Sequence, residues 1–171
     1  MPVETDEIQQ RPDAARPIDR IDRKLLGALA RDAALSYAEL GEIAGLSAPA
    51  AHERVKRLKA SGRIRGTVAL IDAEAVGKPL LAFIHVDTVG WGKTPEILAL
   101  SQLPEVEEIH AVTGDTCVIL KARCASSQSL EGLLGKLYAQ PNVKGTRSYI
   151  ALSTYLERPI QAEISPDLPP R

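Results

Sequence analysis

The sequence predicts an α+β chain in two units: an amino-terminal winged helix-turn-helix and a carboxy-terminal ferredoxin-like β-α-β-β-α-β layer pair. Three observations point there. Apolar residues recur at steps of three and four up to about residue 60, and at steps of two in most of the later segments. A Gly45-Leu46-Ser47 turn separates two short helical stretches. Charge also divides: residues 1–18 are net −2, residues 19–66 net +4 and residues 67–171 net −3, although the whole chain of 171 residues carries only −1.

The first helix follows Pro17. Asp19 is its cap, and Ile18, Ile21, Leu25, Ala28 and Leu29 form its inner stripe up to Arg31-Asp32. The second starts after Ser36. Glu39 stands three residues on, so the two side chains can satisfy each other's free backbone N–H groups in a capping box. Leu40, Ile43 and Ala44 face inward, and Gly45 ends the helix because glycine enters the left-handed conformation cheaply. Ser47 caps the third helix, whose first turn tolerates Pro49, and Gly62 closes it after Ala60. RIRGTVALID (63–72) reads as extended chain around Gly66, a short wing or hairpin.

The remainder alternates. Strands are predicted over 80–87, 106–112, 116–124 and 143–157, with helices over 94–102 and 126–140 and a tight Thr113-Gly114-Asp115 turn. In that order they make an antiparallel sheet with both helices on one face. The other face is expected to carry apolar side chains, and a second copy of the sheet is its simplest cover, so a dimer is expected. The predicted boundaries are a disordered arm over 1–17, the helical unit over 18–66, a linker over 67–79, the sheet unit over 80–157 and a similarly disordered, proline-rich tail over 158–171.

Two cysteines, Cys117 and Cys124, are too few for a disulfide framework, and no apolar run approaches the roughly 20 residues of a membrane span. The amino-terminal stretch lacks the apolar core of a secretory signal. A reducing cytosol, with the protein at the nucleoid, is the expected setting. His110 with the two cysteines has no metal-ligand spacing, so no metal is expected. Trp91, between glycines, reads as a loop residue at an interface.

On a wheel of ~100° per residue, Ala51, Val55 and Leu58 of the third helix pack inward with Leu46. Pro49, Ala50, Glu53, Lys56, Arg57 and Ala60 turn outward, flanked by His52 and Arg54. A basic helix face is usually just a solvated one, and Glu53 with Arg57 is an ordinary i,i+4 pair. The preceding turn changes the reading, because the second helix of such a unit enters the DNA major groove. Lys56, Arg57, Arg63 and Arg65 are assigned to phosphates, while Pro49, Ala50, Glu53 and Arg54 are assigned to bases or the groove wall, beside the cap residue Ser47.

IDRIDRKLLGALARDAALSYAELGEIAGLSAPAAHERVKRLKASGRIRG resembles the start of the Lrp/AsnC (feast/famine) family, notably in Ile18-Asp19, Asp22-Arg23, the G-L-S turn and ERVKRL at 53–58. PEVEEIHAVTGDTCVILKAR and TRSYIALS (146–153) resemble the same family's second half, so the likeness spans about residues 18–157. It implies a sequence-specific transcriptional regulator with a ligand-binding (RAM) domain and no enzymatic cofactor. It also implies sheet-mediated homodimers assembling into tetramers or octamers, and control by an amino acid or related metabolite. It marks Thr113, Gly114, Asp115 and Thr116, with Thr146 and Ser148, as effector-binding. Backbone N–H groups beside Gly114 can hold a carboxylate, and Asp115 can pair with an ammonium. Thr116, Cys117 and Val118 depart from the family, standing where many members have an aromatic, an Asp, and Tyr or Phe. Two other readings are a decarboxylase of haem biosynthesis with the same two-domain layout, and a ligand-binding module without DNA binding. The first needs clustered histidines or arginines, and the chain has only His52, His85 and His110.

Overall fold

The computed structural model describes residues 17–90 and 94–165. The predicted arm over 1–17, apart from Pro17, and Trp91 lie outside the described residues. The chain divides into two compact units, one holding residues 17–69 with 157–165 and the other residues 70–156.

The first unit is a cluster of three helices, α1 (Arg20–Arg31), α2 (Tyr37–Ala44) and α3 (Ala48–Ala60). Each start follows from its cap. The Asp19 carboxylate accepts from the Asp22 N–H at 2.7 Å, Ser36 and Glu39 form the reciprocal capping box, and Ser47 accepts from the Ala50 N–H. Gly45 ends α2 at φ +74 and Gly62 follows α3 at φ +70. Leu25, Ala28, Leu40, Ala44, Ala51, Val55 and Leu58 form the core, with Leu46 of the turn and Ile64 packed against it. Each fully buried leucine contributes about 1.5–3 kcal/mol. Gly41 has a role that the sequence reading missed. Its carbonyl accepts from the Leu46 N–H at 2.8 Å, and a Cβ built on it would stand 2.6 Å from the Leu46 carbonyl oxygen. Only glycine lets the turn fold that tightly onto α2.

No hairpin forms after α3 among the described residues. The Ile64 N–H bonds back to the Leu58 carbonyl, and residues 65–72 run on without a strand partner. The wing is extended chain with Val68, Leu70 and Ile71 exposed.

The second unit contains β1 (Leu80–Thr88), α4 (Pro95–Ala99) with a 3-10 turn (Leu100–Gln102), β2 (Val106–Ala111), β3 (Val118–Cys124), α5 (Ser127–Tyr138) and β4 (Val143–Ile150). The sheet order is β2-β3-β1-β4, every pair antiparallel. This is the predicted ferredoxin-like arrangement. Ala82, Ile84, Val86, Val118, Leu120, Ala122 and Cys124 form one face and pack on Ile97, Leu100, Leu130, Leu133 and Leu137 of the helical layer. The opposite face is mixed rather than apolar. Phe83 and Tyr149 pair across β1 and β4, but Glu107 bridges Lys121 at 3.1 Å and Arg123 at 2.9 Å.

Two expectations are corrected. The last strand stops at Ile150, not residue 157, because Ala151 N–H to Leu81 O is its final bond and β1 begins at Leu80. Among the described residues no strand follows Ile150. The tail is also not wholly free of structure. Arg23 donates to the Ala162 carbonyl at 3.0 Å and Arg31 meets Glu163 at 3.4 Å, so residues 157–165 join the helical unit. Among the described residues no helix is long and apolar enough to cross a membrane.

Candidate nucleic-acid interface and effector loop

The α3 face forms as its periodicity requires. Ala51, Val55 and Leu58 are sealed in the core, while Glu53, Lys56 and Arg57 stand outward, with Arg57 about half exposed at 53%. Pro49 is exposed and Ala50 half-buried at the amino-terminal end, next to the exposed cap Ser47. His52 lies edge-on to Tyr37 at 4.6 Å and places Nδ1 3.5 Å from Glu53 Oε1. Arg65 is exposed; Arg63 is half-buried, and its neighbour Ile64 packs against the core.

Arg54 departs from its predicted place. Its side chain is only 22% exposed, with Nη1 2.6 Å from Asp19 Oδ2 and 2.8 Å from Asp22 Oδ1. The guanidinium therefore ties α3 to the first turn of α1 and does not join the outward face. Its hydrogen bond is the main reason that the Asp19 carboxyl is held down at about 2, with the Asp22 N–H second. The same two carboxylates raise the pKa of Arg54. Asp22 also draws Arg57, whose Nη2 lies 3.9 Å from the same Oδ1. Sequence reading missed this link because its members lie 35 and 32 residues apart.

The loop between β2 and β3 is closed by Val112 N–H to Cys117 O, and Gly114 turns it at φ +129. Thr113, Gly114 and Asp115 are exposed, the Asp115 side chain almost fully at 92%. Thr116 is not with them. It is buried and donates its hydroxyl to the Val86 carbonyl at 3.1 Å, holding the start of β3 on β1. Thr146 and Ser148 lie opposite Val86 and Ile84 in the register, hence on the helix-covered side. The Thr146 N–H and hydroxyl both donate to the Tyr138 phenol oxygen at 3.3 Å, which lowers the pKa of that phenol.

Arg147 was not singled out from the sequence, yet alternation sends it to the other side of β4, towards Asp115. Its Nη2 is 3.4 Å from the Asp115 carbonyl and 3.9 Å from Asp115 Oδ2, and Nη1 is 3.5 Å from Asp87 Oδ2. Asp87 Oδ1 is buried with no hydrogen-bond partner among the described residues. The structure thus brings Asp115 to Arg147 and Asp87, and takes Thr116 out of the set. Cys117 and Cys124 are free thiols. Hydrogen bonding from Thr88 lowers the pKa of Cys117, and burial raises that of Cys124. Among the described residues no three His, Cys, Asp or Glu side chains group to hold a metal ion.

Two family models match the chain. The AsnC-type helix-turn-helix domain covers residues 18–59, and the Lrp/AsnC ligand binding domain covers residues 82–161. The transcriptional regulator FL11 of Pyrococcus horikoshii is 37% identical over 142 residues, covering 82% of this chain and 93% of its own. Two solved structures superpose closely. A transcriptional regulator of Neisseria meningitidis in complex with L-methionine gives a TM-score of 0.77 at 28% identity, covering 83% of this chain and 94% of its own. The feast or famine regulatory protein of Mycobacterium tuberculosis complexed with L-methionine gives 0.75 at 37% identity, covering 82% and 96%.

Proposed function

Because the chain belongs to the Lrp/AsnC family of DNA-binding transcriptional regulators, which are not enzymes, we propose that it reads promoter DNA through α3 under the control of an amino acid. The observation that carries the reading is the division of α3. Lys56 and Arg57 stand outward because Ala51, Val55 and Leu58 are fixed in the core. Lys56, Arg57, Arg63 and Arg65 meet phosphates, which position the module; Ser47, Pro49, Ala50 and Glu53 line the groove, with Glu53 able to accept from a cytosine amino group. Arg54 acts from behind by holding α3 on α1.

The test is binding to duplexes selected from a randomised library, followed across salt concentrations. Affinity falls steeply with salt, and Lys56→Ala or Arg57→Ala flattens the logarithmic slope by about one. A flat salt response of the native protein rejects the assignment.

The effector is an amino acid, and L-methionine is the first to test, since two similar regulators were crystallised with it. Backbone N–H groups at Gly114 receive its carboxylate, while Asp115 and Asp87 offer negative charge to its ammonium. The loop's exposure fits a site completed by another copy of the chain. Self-association runs through the open face carrying Phe83 and Tyr149, giving a homodimer and then tetramers or octamers, in the cytoplasm at the nucleoid. Effector binding shifts the association state or the spacing of the DNA-reading heads, and so operator affinity. Light scattering with and without L-methionine tests this: a monomer in both states rejects the assembly.

A further inference from the structure

Asp22 is a charged residue almost wholly buried in a small helical unit, with its side chain 9% exposed. Removing a carboxylate from water costs several kcal/mol unless it is paired, and a buried ion pair is often no more stabilising than a well-packed apolar residue of similar volume. Stability alone therefore gives weak reason for a charge here. What it touches suggests another. Its Oδ1 is 2.8 Å from Arg54 Nη1 and 3.9 Å from Arg57 Nη2, so one oxygen engages two guanidiniums of α3. Asp19 adds a second carboxylate to Arg54 at 2.6 Å. Of the four cations on α3, namely Arg54, Lys56, Arg57 and Lys59, Arg54 is turned back against α1, while Arg57 stays half-exposed with one nitrogen near the Asp22 carboxylate.

We propose that Asp22 is a specificity-determining residue of the DNA interface. By holding Arg54 against α1, it withholds that cation from indiscriminate phosphate contact. Phosphate neutralisation supplies nearly all non-specific affinity and carries no sequence information. Restraining that guanidinium lowers the affinity for any duplex more than the affinity for the right one, where the groove residues of α3 also contribute. Asp22 thereby sets the ratio between the two. Arg54 is a positioning residue in this scheme. The proposal rests on reading α3 as the DNA-contacting helix.

The experiment compares the tightest duplex selected by the native protein from a randomised library with a scrambled duplex of equal length. Binding of each is followed across salt concentrations. Asp22→Asn removes the charge at nearly constant shape. It is expected to tighten binding to scrambled DNA about three- to tenfold and to steepen that salt slope by about one, as the freed Arg54 guanidinium gains a phosphate. The selected-to-scrambled ratio falls correspondingly, and Asp22→Glu restores it in part. Asp19→Asn keeps the helix cap, since asparagine caps as well as aspartate, and shifts the ratio the same way by less. It decides the matter should Asp22→Asn fail to melt cooperatively.

Equal weakening on both duplexes, or unchanged slopes in both variants, would overturn the proposal and leave Asp22 a purely structural residue. Lys56→Ala separates the two layers of argument. If that variant of the native protein binds both duplexes undiminished, the α3 reading itself is wrong.

Discussion

A Cβ built on Gly27 would stand 2.7 Å from Glu163 Oε1: the middle of α1 lies bare where the tail crosses it. Glycine inside a helix costs about 1 kcal/mol relative to alanine, and here it leaves room for the tail to approach. Gly27→Ala only nudges the end of a flexible side chain, so it should raise thermal stability by about 0.5–1 kcal/mol. Gly27→Leu should instead displace the tail and speed hydrogen exchange at residues 160–165, leaving α1 helical by circular dichroism. Unchanged exchange in the leucine variant would show that the tail does not depend on this gap.

Acid should loosen the link between α1 and α3. Asp19 ionises at about 2 in the fold, against 3.8 for the free side chain. A depressed carboxyl contributes stability that is present above the unfolded value and is lost as pH falls through the folded one. The melting temperature should therefore drop between about pH 4 and pH 2. Asp19→Asn, which keeps the cap but cannot change charge, should lose part of that dependence. Superimposable pH profiles would show that the Asp19 pairing adds nothing.

Two glycines of the helix-turn-helix should respond differently to alanine. Gly45 has open space around its missing side chain, so Gly45→Ala costs only the left-handed backbone, about 1–2 kcal/mol. Gly41→Ala would press a methyl group into the Leu46 carbonyl, which is backbone and cannot rotate away. It should cost more than Gly45→Ala and weaken DNA binding as well. Chemical denaturation of the two variants side by side ranks them.

The effector loop should separate into ligand-facing and structural residues. The native protein should melt at a higher temperature with L-methionine, and Asp115→Ala should abolish that shift with little change in the unliganded melt. Thr116→Val removes one of two donors to the Val86 carbonyl, which keeps the Cys117 N–H, so it should destabilise by about 0.5–1.5 kcal/mol yet keep the ligand-induced shift. The reverse pattern would exchange the two roles.

The thiols should also react unequally. Cys117 is partly exposed and its ionisation is favoured by Thr88, whereas Cys124 is buried and its ionisation is opposed. A chromogenic disulfide reagent at neutral pH should titrate one thiol quickly and the second only on unfolding. Fast reaction of both would place Cys124 nearer the surface than the fold allows.

Local chemistry is what made the amino-terminal unit legible. Asp19, Ser36, Gly45 and Ser47 act on backbone within four residues of themselves, so their signals survive in the bare sequence. The same holds for the order of strands and helices, which alternation spells out. What stayed hidden depends on distant partners. Arg54 looked outward until Asp19 and Asp22 arrived from α1, and Thr116 looked available until Val86 was seen beside it. The end of β4 was equally obscure, because the apolar pattern continues past Ile150 while β1 does not. Arg147 escaped notice because the residues carried over by resemblance, Thr146 and Ser148, flank it on the opposite side of the strand.

The contact at Gly41 has a consequence for how a signal could travel. The turn is tied to α2 by the Leu46–Gly41 hydrogen bond, and α3 is tied to α1 by Arg54, so each helix of the three is cross-linked to another. On the proposed function, a signal from the ligand would carry the reading head bodily, like a stylus moved without bending. Its effect on DNA would then be one of reach and alignment, not of a reshaped tip.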